Sequence, residues 1–236
     1  MLSFIVPAHN EEHELPLTLQ KIHEAARADG RSYEVIVVDD SSTDATSAIA
    51  RQHGARVVSV GCRQIAAVRN AGARIARGEV LFFVDADTQI ARGHISGGIE
   101  ALASGSSGGS ARLKLDAQVP VWARVFLAVF SALYFGSNLG VGAFIFTRRE
   151  TFRAAGGFDE QYFAGEELYL TQALKKHGPF KILSEPIVTS ARKVRMHSAA
   201  GFFRQWLFIL FGGRRSLQKR ERLGMWYDGK RERKPA

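Results

Sequence analysis

One cysteine, Cys62, is all that 236 residues contain. No internal disulfide framework can staple this fold, which fits a reducing, cytoplasmic setting. Long apolar runs are missing too. The longest candidate, Val119 to Phe135, is interrupted by Arg124 and falls short of the roughly 20 residues that cross a bilayer. Met1 to Val6 has no basic stretch and runs straight into strand-like sequence, so no signal peptide is expected. The first strand is not followed by Gly-x-Gly-x-x-Gly. Pro7-Ala8-His9-Asn10-Glu11 stands there instead, which argues against a Rossmann dinucleotide site. The same stretch lacks the Gly-rich, Lys/Arg-bearing loop that a nucleotidyltransferase would want, leaving that class as an alternative only. Acids are outnumbered by bases, 23 to 32, for a net charge of +9. The imbalance is local: from Arg214 onward nine Lys/Arg face three acids, so that segment carries +6. A basic tail suggests an anionic surface. No nucleic-acid recognition module accompanies it, so a membrane surface is the expected partner rather than nucleic acid.

What is present reads as one α/β domain with a core of its own. Leu2 to Val6, Tyr33 to Val38, Ala55 to Val60 and Val80 to Val84 are apolar, strand-like runs. Helical spacing fills the gaps at Glu14 to Ala28, Ala45 to Gln52 and Gln64 to Ala76. Ser42 or Thr43 is the expected cap of the second helix, with Asp44 a further capping candidate. Helices between strands force parallel connections, so the strands end at one edge of one sheet. Acid-bearing loops follow the first, second and fourth strands at that edge, where open α/β sheets bind ligands.

Gly78 to Thr88 is the central stretch. Its apolar strand stops at Asp85-Ala86-Asp87. Two carboxylates one residue apart repel each other when ionised, so a cation beside them is favoured, and hard oxygens suit Mg²⁺ or Mn²⁺. The other reading is a solvated turn with an Asp cap for the next helix.

Pro7-Ala8-His9-Asn10-Glu11, Val37-Val38-Asp39-Asp40-Ser41-Ser42-Thr43-Asp44, Arg69-Asn70-Ala71-Gly72 and Asp85-Ala86-Asp87 occur in that order and spacing. Together they resemble the family 2 glycosyltransferases with a GT-A fold. That resemblance covers Met1 to about Lys176. It implies a nucleoside-diphosphate sugar donor of the UDP or GDP type, and Mn²⁺ or Mg²⁺. By the match, Pro7, Ala8, Asn10 and Glu11 line the nucleoside pocket. Asp39 or Asp40 binds the base, and Arg69 the base or a phosphate. Asp85, with Ala86 beside it, meets the ribose or sugar, and Asp87 ligates the metal. The family reads Gly-Glu-Asp before a later helix, its Asp being the base; here Gly165-Glu166-Glu167 stands there. Glu167 is then the expected base and Glu166 the runner-up. A late histidine completes the metal site in related enzymes, and His197 is the candidate.

Beyond the donor motifs, helix is expected over Ile90 to Ala103, a flexible Gly/Ser turn over Ser104 to Ser110, and a short strand over Ala111 to Leu115. Val119 to Phe135 reads as a helix that is either buried or laid on a membrane. A strand is expected over Val141 to Thr147, then helices from Arg148 and from the Gly165-Glu166-Glu167 stretch to Lys176. Two short strands, Phe180 to Leu183 and Ile187 to Thr189, flank Glu185-Pro186. Ser190 to His197 is a basic loop whose Arg192, Lys193 and Arg195 are candidates for leaving-group phosphate. Phe202 to Phe211 is an aromatic helix that, with the basic tail, resembles an interfacial anchor.

The expectation is a GT-A-like α/β domain over 1–197, with a donor half to about 103, an acceptor half from about 104, and a C-terminal helical extension over 198–236. The expected activity is inverting, metal-assisted sugar transfer to a hydroxyl acceptor, lipid-linked acceptors included, by a cytoplasmic protein peripheral to a membrane. A non-catalytic membrane-surface binding protein on the same scaffold is the other alternative. Nothing in the sequence fixes an oligomeric state.

Overall fold

A computed structural model describes residues 1–116, 119–196, 201, 204 and 217–223. The elements run β1 (Leu2–Ala8), α1 (Leu15–Asp29), β2 (Tyr33–Asp40), α2 (Thr46–Gln52), β3 (Arg56–Val60), α3 (Ile65–Ile75) and β4 (Val80–Val84). Then come β5 (Thr88–Gln89), α4 (Arg92–Ala103), β6 (Gly108–Leu115), α5 (Val121–Gly136), β7 (Phe144–Arg148) and α6 (Arg149–Ala154). The last are α7 (Glu166–Lys175), β8 (Phe180–Thr189) and α8 (Arg192–Met196). The strands form one sheet in the order β3-β2-β1-β4-β7-β6-β8-β5. β3, β2, β1 and β4 are mutually parallel, as the helical connections require. β7 then enters antiparallel between β4 and β6, and β8 pairs parallel to β6.

Side chains alternate across the sheet, so each face has its own core. Phe4, Val6, Val37, Phe82, Val84, Phe144 and Phe146 pack under α1 and α4 on one face. Ile5, Ile36, Val38, Leu81, Phe83 and Ile145 face α3, α6 and α7 on the other. β4 contributes to both, which explains its unbroken apolar run.

Arg69-Asn70-Ala71-Gly72 lies on α3, against β1 and β2. Gly72 is there because the helix comes too close for a side chain: a Cβ would stand 2.4 Å from Ile5 Cγ2 and 2.9 Å from Val38 Cγ2. Asn70 reaches the other way. Its amide N–H donates to the Phe158 carbonyl at 2.8 Å and to Glu160 Oε1 at 2.8 Å, and its Oδ1 accepts the Phe158 N–H at 3.0 Å. Gln64 holds the Glu160 and Tyr162 carbonyls of the same loop.

Four local readings are corrected. The Gly/Ser stretch is strand from Gly108, because Gly109 sits under the Phe146 ring and beside the Lys181 carbonyl, where no Cβ fits. Phe180 to Thr189 is one strand with a register shift opposite Ala111/Leu113, which absorbs Glu185-Pro186. The basic loop after it contains α8. Neither Ser42 nor Thr43 caps α2: Asp44 accepts the Thr46 N–H at 2.9 Å, while Ser42 and Thr43 pair with Asn10 across the loops.

α5 meets β6; among its described side chains Ala123 is buried, while Val121 and Val125 are 72% and 59% exposed. Among the described residues no helix is long and apolar enough to cross a membrane. The expected helix over 202–211 lies outside the described residues, as does most of the basic tail. Residues 217–223 are described. Leu217 and Leu223 pack with Tyr162 and Ala164, and the Leu217 carbonyl accepts the Phe163 N–H at 2.8 Å.

Gly72→Ala is expected to destabilise the fold by about 1–3 kcal/mol through overpacking against Ile5 and Val38. Gly136→Ala, where nothing lies within 4 Å of the added Cβ, is expected to stay within about 0.5 kcal/mol of the parent. Urea midpoints of the two variants check this.

Candidate active site at the strand ends

The parallel strands bring three loops to one edge, and side chains then stitch the loops together. After β1, the Asn10 N–H donates to Ser42 Oγ at 2.9 Å and Asn10 Oδ1 accepts the Thr43 N–H at 2.8 Å. Asn10 and Ser41 both hold left-handed backbone, at φ 54° and 59°. The Glu11 N–H donates to Thr46 Oγ1 at 2.8 Å. Asp44 takes N–H groups from both Thr46 and Glu12; partial burial opposes its ionisation, but these bonds hold its carboxyl below the usual range.

Asp39 and Asp40 are buried. Asp39 accepts the Ser42 N–H at 3.0 Å and the Ser47 hydroxyl. Asp40 accepts the Arg63 N–H at 3.0 Å, and its carbonyl meets His9 Nδ1 at 2.8 Å. Both carboxylates therefore brace the loops, whatever else they bind. Pro7 and Ala8 are the last residues of β1, paired with Val38 and Asp39.

β4 leads into a turn, with the Thr88 N–H donating to the Asp85 carbonyl at 3.0 Å. Ala86 is buried, its carbonyl held by the Thr18 hydroxyl at 2.8 Å. The turn sends Asp85 and Asp87 to different arginines. Asp85 Oδ1 accepts from Arg69 Nη2 at 2.7 Å, and Asp87 Oδ2 faces Arg192 Nη2 at 3.0 Å.

Arg69 is 2% exposed. Besides Asp85, it donates from Nη1 to Glu166 Oε1 at 2.5 Å and from Nη2 to the Gly142 carbonyl at 2.9 Å. Its guanidinium lies 5.2 Å from the Phe158 ring centroid. Burial alone would lower its pKa, but Asp85 and Glu166 more than offset that and keep it charged. Sequence reasoning assigned Arg69 to the base or a phosphate; here it bridges Asp85 to Glu166.

α7 opens with Glu166 and Glu167 after Gly165, which holds φ at +73°. Glu166 is buried on Arg69. Glu167 is partly buried, and burial together with the neighbouring Glu166 charge pushes its pKa up to about 8. Tyr134, from α5, closes this side. Its hydroxyl donates to the Gly140 carbonyl at 2.9 Å, and burial and the two glutamates push its pKa above the usual phenol range. No sequence signal singled out Tyr134, which lies far from Glu167 in the chain, or the Gly142 carbonyl, which acts through backbone geometry.

Glu11 and Asp87 converge on Arg192, at 2.5 and 2.7 Å for Glu11 and 3.0 Å for Asp87. Two hard-oxygen carboxylates from different loops thus meet at one cation position. That donor set fits a divalent ion of the Mg²⁺/Mn²⁺ kind, which takes one or two carboxylates and fills its shell with phosphate oxygens and water. Among the described residues no three His, Cys, Asp or Glu side chains gather around one ion position. His197 lies outside the described residues.

Replacing Arg69 by Met is expected to cost about 3–5 kcal/mol, because it leaves the Glu166 carboxylate buried, and the partly exposed Asp85 carboxylate beside it, without their cation. Chemical denaturation checks this, with Arg69→Lys expected to recover part of the loss.

The family described as Glycosyl transferase family 2 matches residues 3–114. The undecaprenyl-phosphate 4-deoxy-4-formamido-L-arabinose transferase of Pseudomonas paraeruginosa is 36% identical over 97 residues, 38% of this chain and 28% of that protein. The dolichyl-phosphate beta-glucosyltransferase of Drosophila melanogaster is 40% identical over 101 residues, 36% of this chain and 30% of that one. The matches thus span under a third of these relatives' length. Among solved structures, glucosyl-3-phosphoglycerate synthase from Mycobacterium tuberculosis, in complex with Mn²⁺, UDP and phosphoglyceric acid, superposes with a TM-score of 0.62 at 19% identity. That superposition covers 90% of this chain and 78% of that one, and it shows a shared fold. Residues 3–114 thus carry the likeness to the family 2 glycosyltransferases, and the strand order and helical layers are those of the GT-A fold.

Proposed function

We propose that the chain transfers a sugar from a nucleoside-diphosphate sugar of the UDP or GDP type to a hydroxyl acceptor, in a single displacement with inversion. The observation that carries this reading is the place of Glu167 beside the Arg69 bridge between Asp85 and Glu166: a carboxylate available to the donor next to a carboxyl whose pKa is pushed up to about 8. A carboxyl tuned to that range suits a general base working near neutral pH. Glu166, held by Arg69, positions Glu167 rather than taking the proton itself. Asp85 keeps its Oδ2 for the ribose or sugar hydroxyls while Oδ1 stays on Arg69. Pro7, Ala8, Asn10 and Glu11, with Asp39 and Asp40 behind them, form the wall proposed for the nucleoside. Asp87 would hold a divalent ion, Mn²⁺ or Mg²⁺, with Glu11 beside it and His197 as a further candidate, and the ion would neutralise charge on the departing diphosphate.

The two relatives' names favour a second reading of the acceptor, a lipid phosphate. A phosphate oxygen is already anionic and needs no base. The exposed Val121 and Val125 of α5 support peripheral contact with the cytoplasmic face of a membrane under either reading.

Calorimetric titration with UDP and with GDP, each with Mn²⁺ and with EDTA, tests the donor site. Metal-dependent binding of one nucleotide, weakened at least tenfold in Asp87→Ala, is expected; binding of neither by folded protein refutes the reading.

Glu167→Gln is expected to lower kcat for a hydroxyl acceptor by about 10²–10⁴-fold. The wild-type rate should rise with pH and level off above about 8, because the ionised form is the active one. An unchanged rate with a phosphate acceptor would select the second reading.

Stability should move the opposite way. The folded-state pKa lies above the ordinary 4.5, so the contribution of Glu167 is fully present below that value and is lost as pH rises through about 8. Glu167→Gln is therefore expected to melt higher than wild type at pH 8–9 and alike near pH 4. A tenfold change in a protonation equilibrium is worth about 1.4 kcal/mol, enough to move a melting temperature measurably. Scanning calorimetry at the two pH values reads the crossover.

A further inference from the structure

Arg192 is the first residue of α8, and its guanidinium lies between Glu11 and Asp87. The helix that carries it is anchored without it. The Ala191 N–H donates to Asp116 Oδ1 at 2.9 Å, and Arg195 pairs with Asp116 at 3.7 Å. The Ser190 N–H donates to the Asp87 carbonyl at 3.2 Å, and Ala191 and Val194 are buried. The side chain can thus change partners while its backbone stays in place. The charges explain why it would. Glu11 and Asp87 against Arg192 leave one net negative charge. A divalent ion arriving alone must compete with the guanidinium for Asp87, and two cations then crowd one position. A diphosphate arriving alone meets two carboxylates. The ion and the diphosphate together largely cancel each other's charge, and a released guanidinium has the planar fork that suits phosphate oxygens.

Resting on the donor-site reading above, we infer that Arg192 is an exchangeable counter-ion of the diphosphate site. It holds Asp87 in the free protein, yields Asp87 to the divalent ion, and then turns its guanidinium to the diphosphate. Ion and nucleotide binding are coupled through this one side chain.

The test measures two affinities in the full chain. Mn²⁺ alone is titrated by the electron paramagnetic resonance of the free ion. UDP and GDP are titrated calorimetrically at saturating Mn²⁺. Arg192→Gln is expected to bind Mn²⁺ alone about tenfold tighter and the nucleoside diphosphate about tenfold weaker, a size typical of coupling between two ligands. UMP or GMP binding should change less. A residue that only braced the site would weaken both affinities when removed, so opposite signs separate the two roles. Arg192→Lys keeps the charge but loses the fork, and it is expected to shift both affinities in the same directions by a smaller factor. It carries the test if the Gln variant does not fold. A wild type that binds one nucleotide, with variants that match it in either affinity, overturns the exchange alone. A wild type that binds neither nucleotide overturns the donor-site reading, and the exchange with it.

Discussion

One buried guanidinium organises the site. Arg69 comes from a helix packed on β1 and β2, and it meets Asp85 from the end of β4, Glu166 from the start of α7 and the Gly142 carbonyl before β7. A cation at this depth is tolerable only with its partners in place, and the partners only with the cation. The elements that carry them are thereby fixed relative to one another. Gly72 allows α3 to lie close enough for the reach, and Asn70 ties the loop that delivers Glu166. The Arg-Asn-Ala-Gly motif is therefore three separate devices on successive faces of one helix.

Charge distribution follows from that arrangement. Glu167 stands next to Glu166 and near Asp85, and Arg69 is already shared between those two. Its carboxyl is left without a full counter-charge in a partly buried place, which is why its pKa rises. The helix N-terminus works against this, favouring the ionised form. Burial and the neighbouring carboxylate win. The same network that stabilises the fold through Arg69 thus holds the Glu167 carboxyl well above the usual carboxylate range.

Much of this was legible in the residues. Alternating strand and helix signals gave the parallel half of the sheet and put the acid-bearing loops at one edge. Ion pairs between distant segments were not legible. Arg69 and Glu166 are separated by 97 positions, and Arg192 and Glu11 by 181, so no local pattern reports them. Asp85 and Asp87 illustrate the limit. Their spacing suggests a shared cation, but the turn closed by Thr88 sends each to its own arginine. Gly108 and Gly109 read as a loop because glycine is scarce in strands; the crowding by Phe146 that requires them belongs to another strand. His197 and the expected helix over 202–211 lie outside the described residues.

The two arginine networks differ in a way that bears on motion. Arg69 is held by several elements, and no one of its partners can move without exposing a buried charge. Arg192 sits on a five-residue helix fastened mainly by Asp116, and its own partners are side chains at the rim of the sheet. Both networks run between residues 1–103 and residues 104–197, so rigid separation of those halves would break two sets of ion pairs at once. Adjustment on binding is cheaper at Arg192, where one rotamer change releases two carboxylates and leaves the backbone in place. The rigid network therefore aligns the groups that must not move, and the exchangeable one lies where a charged ligand has to enter.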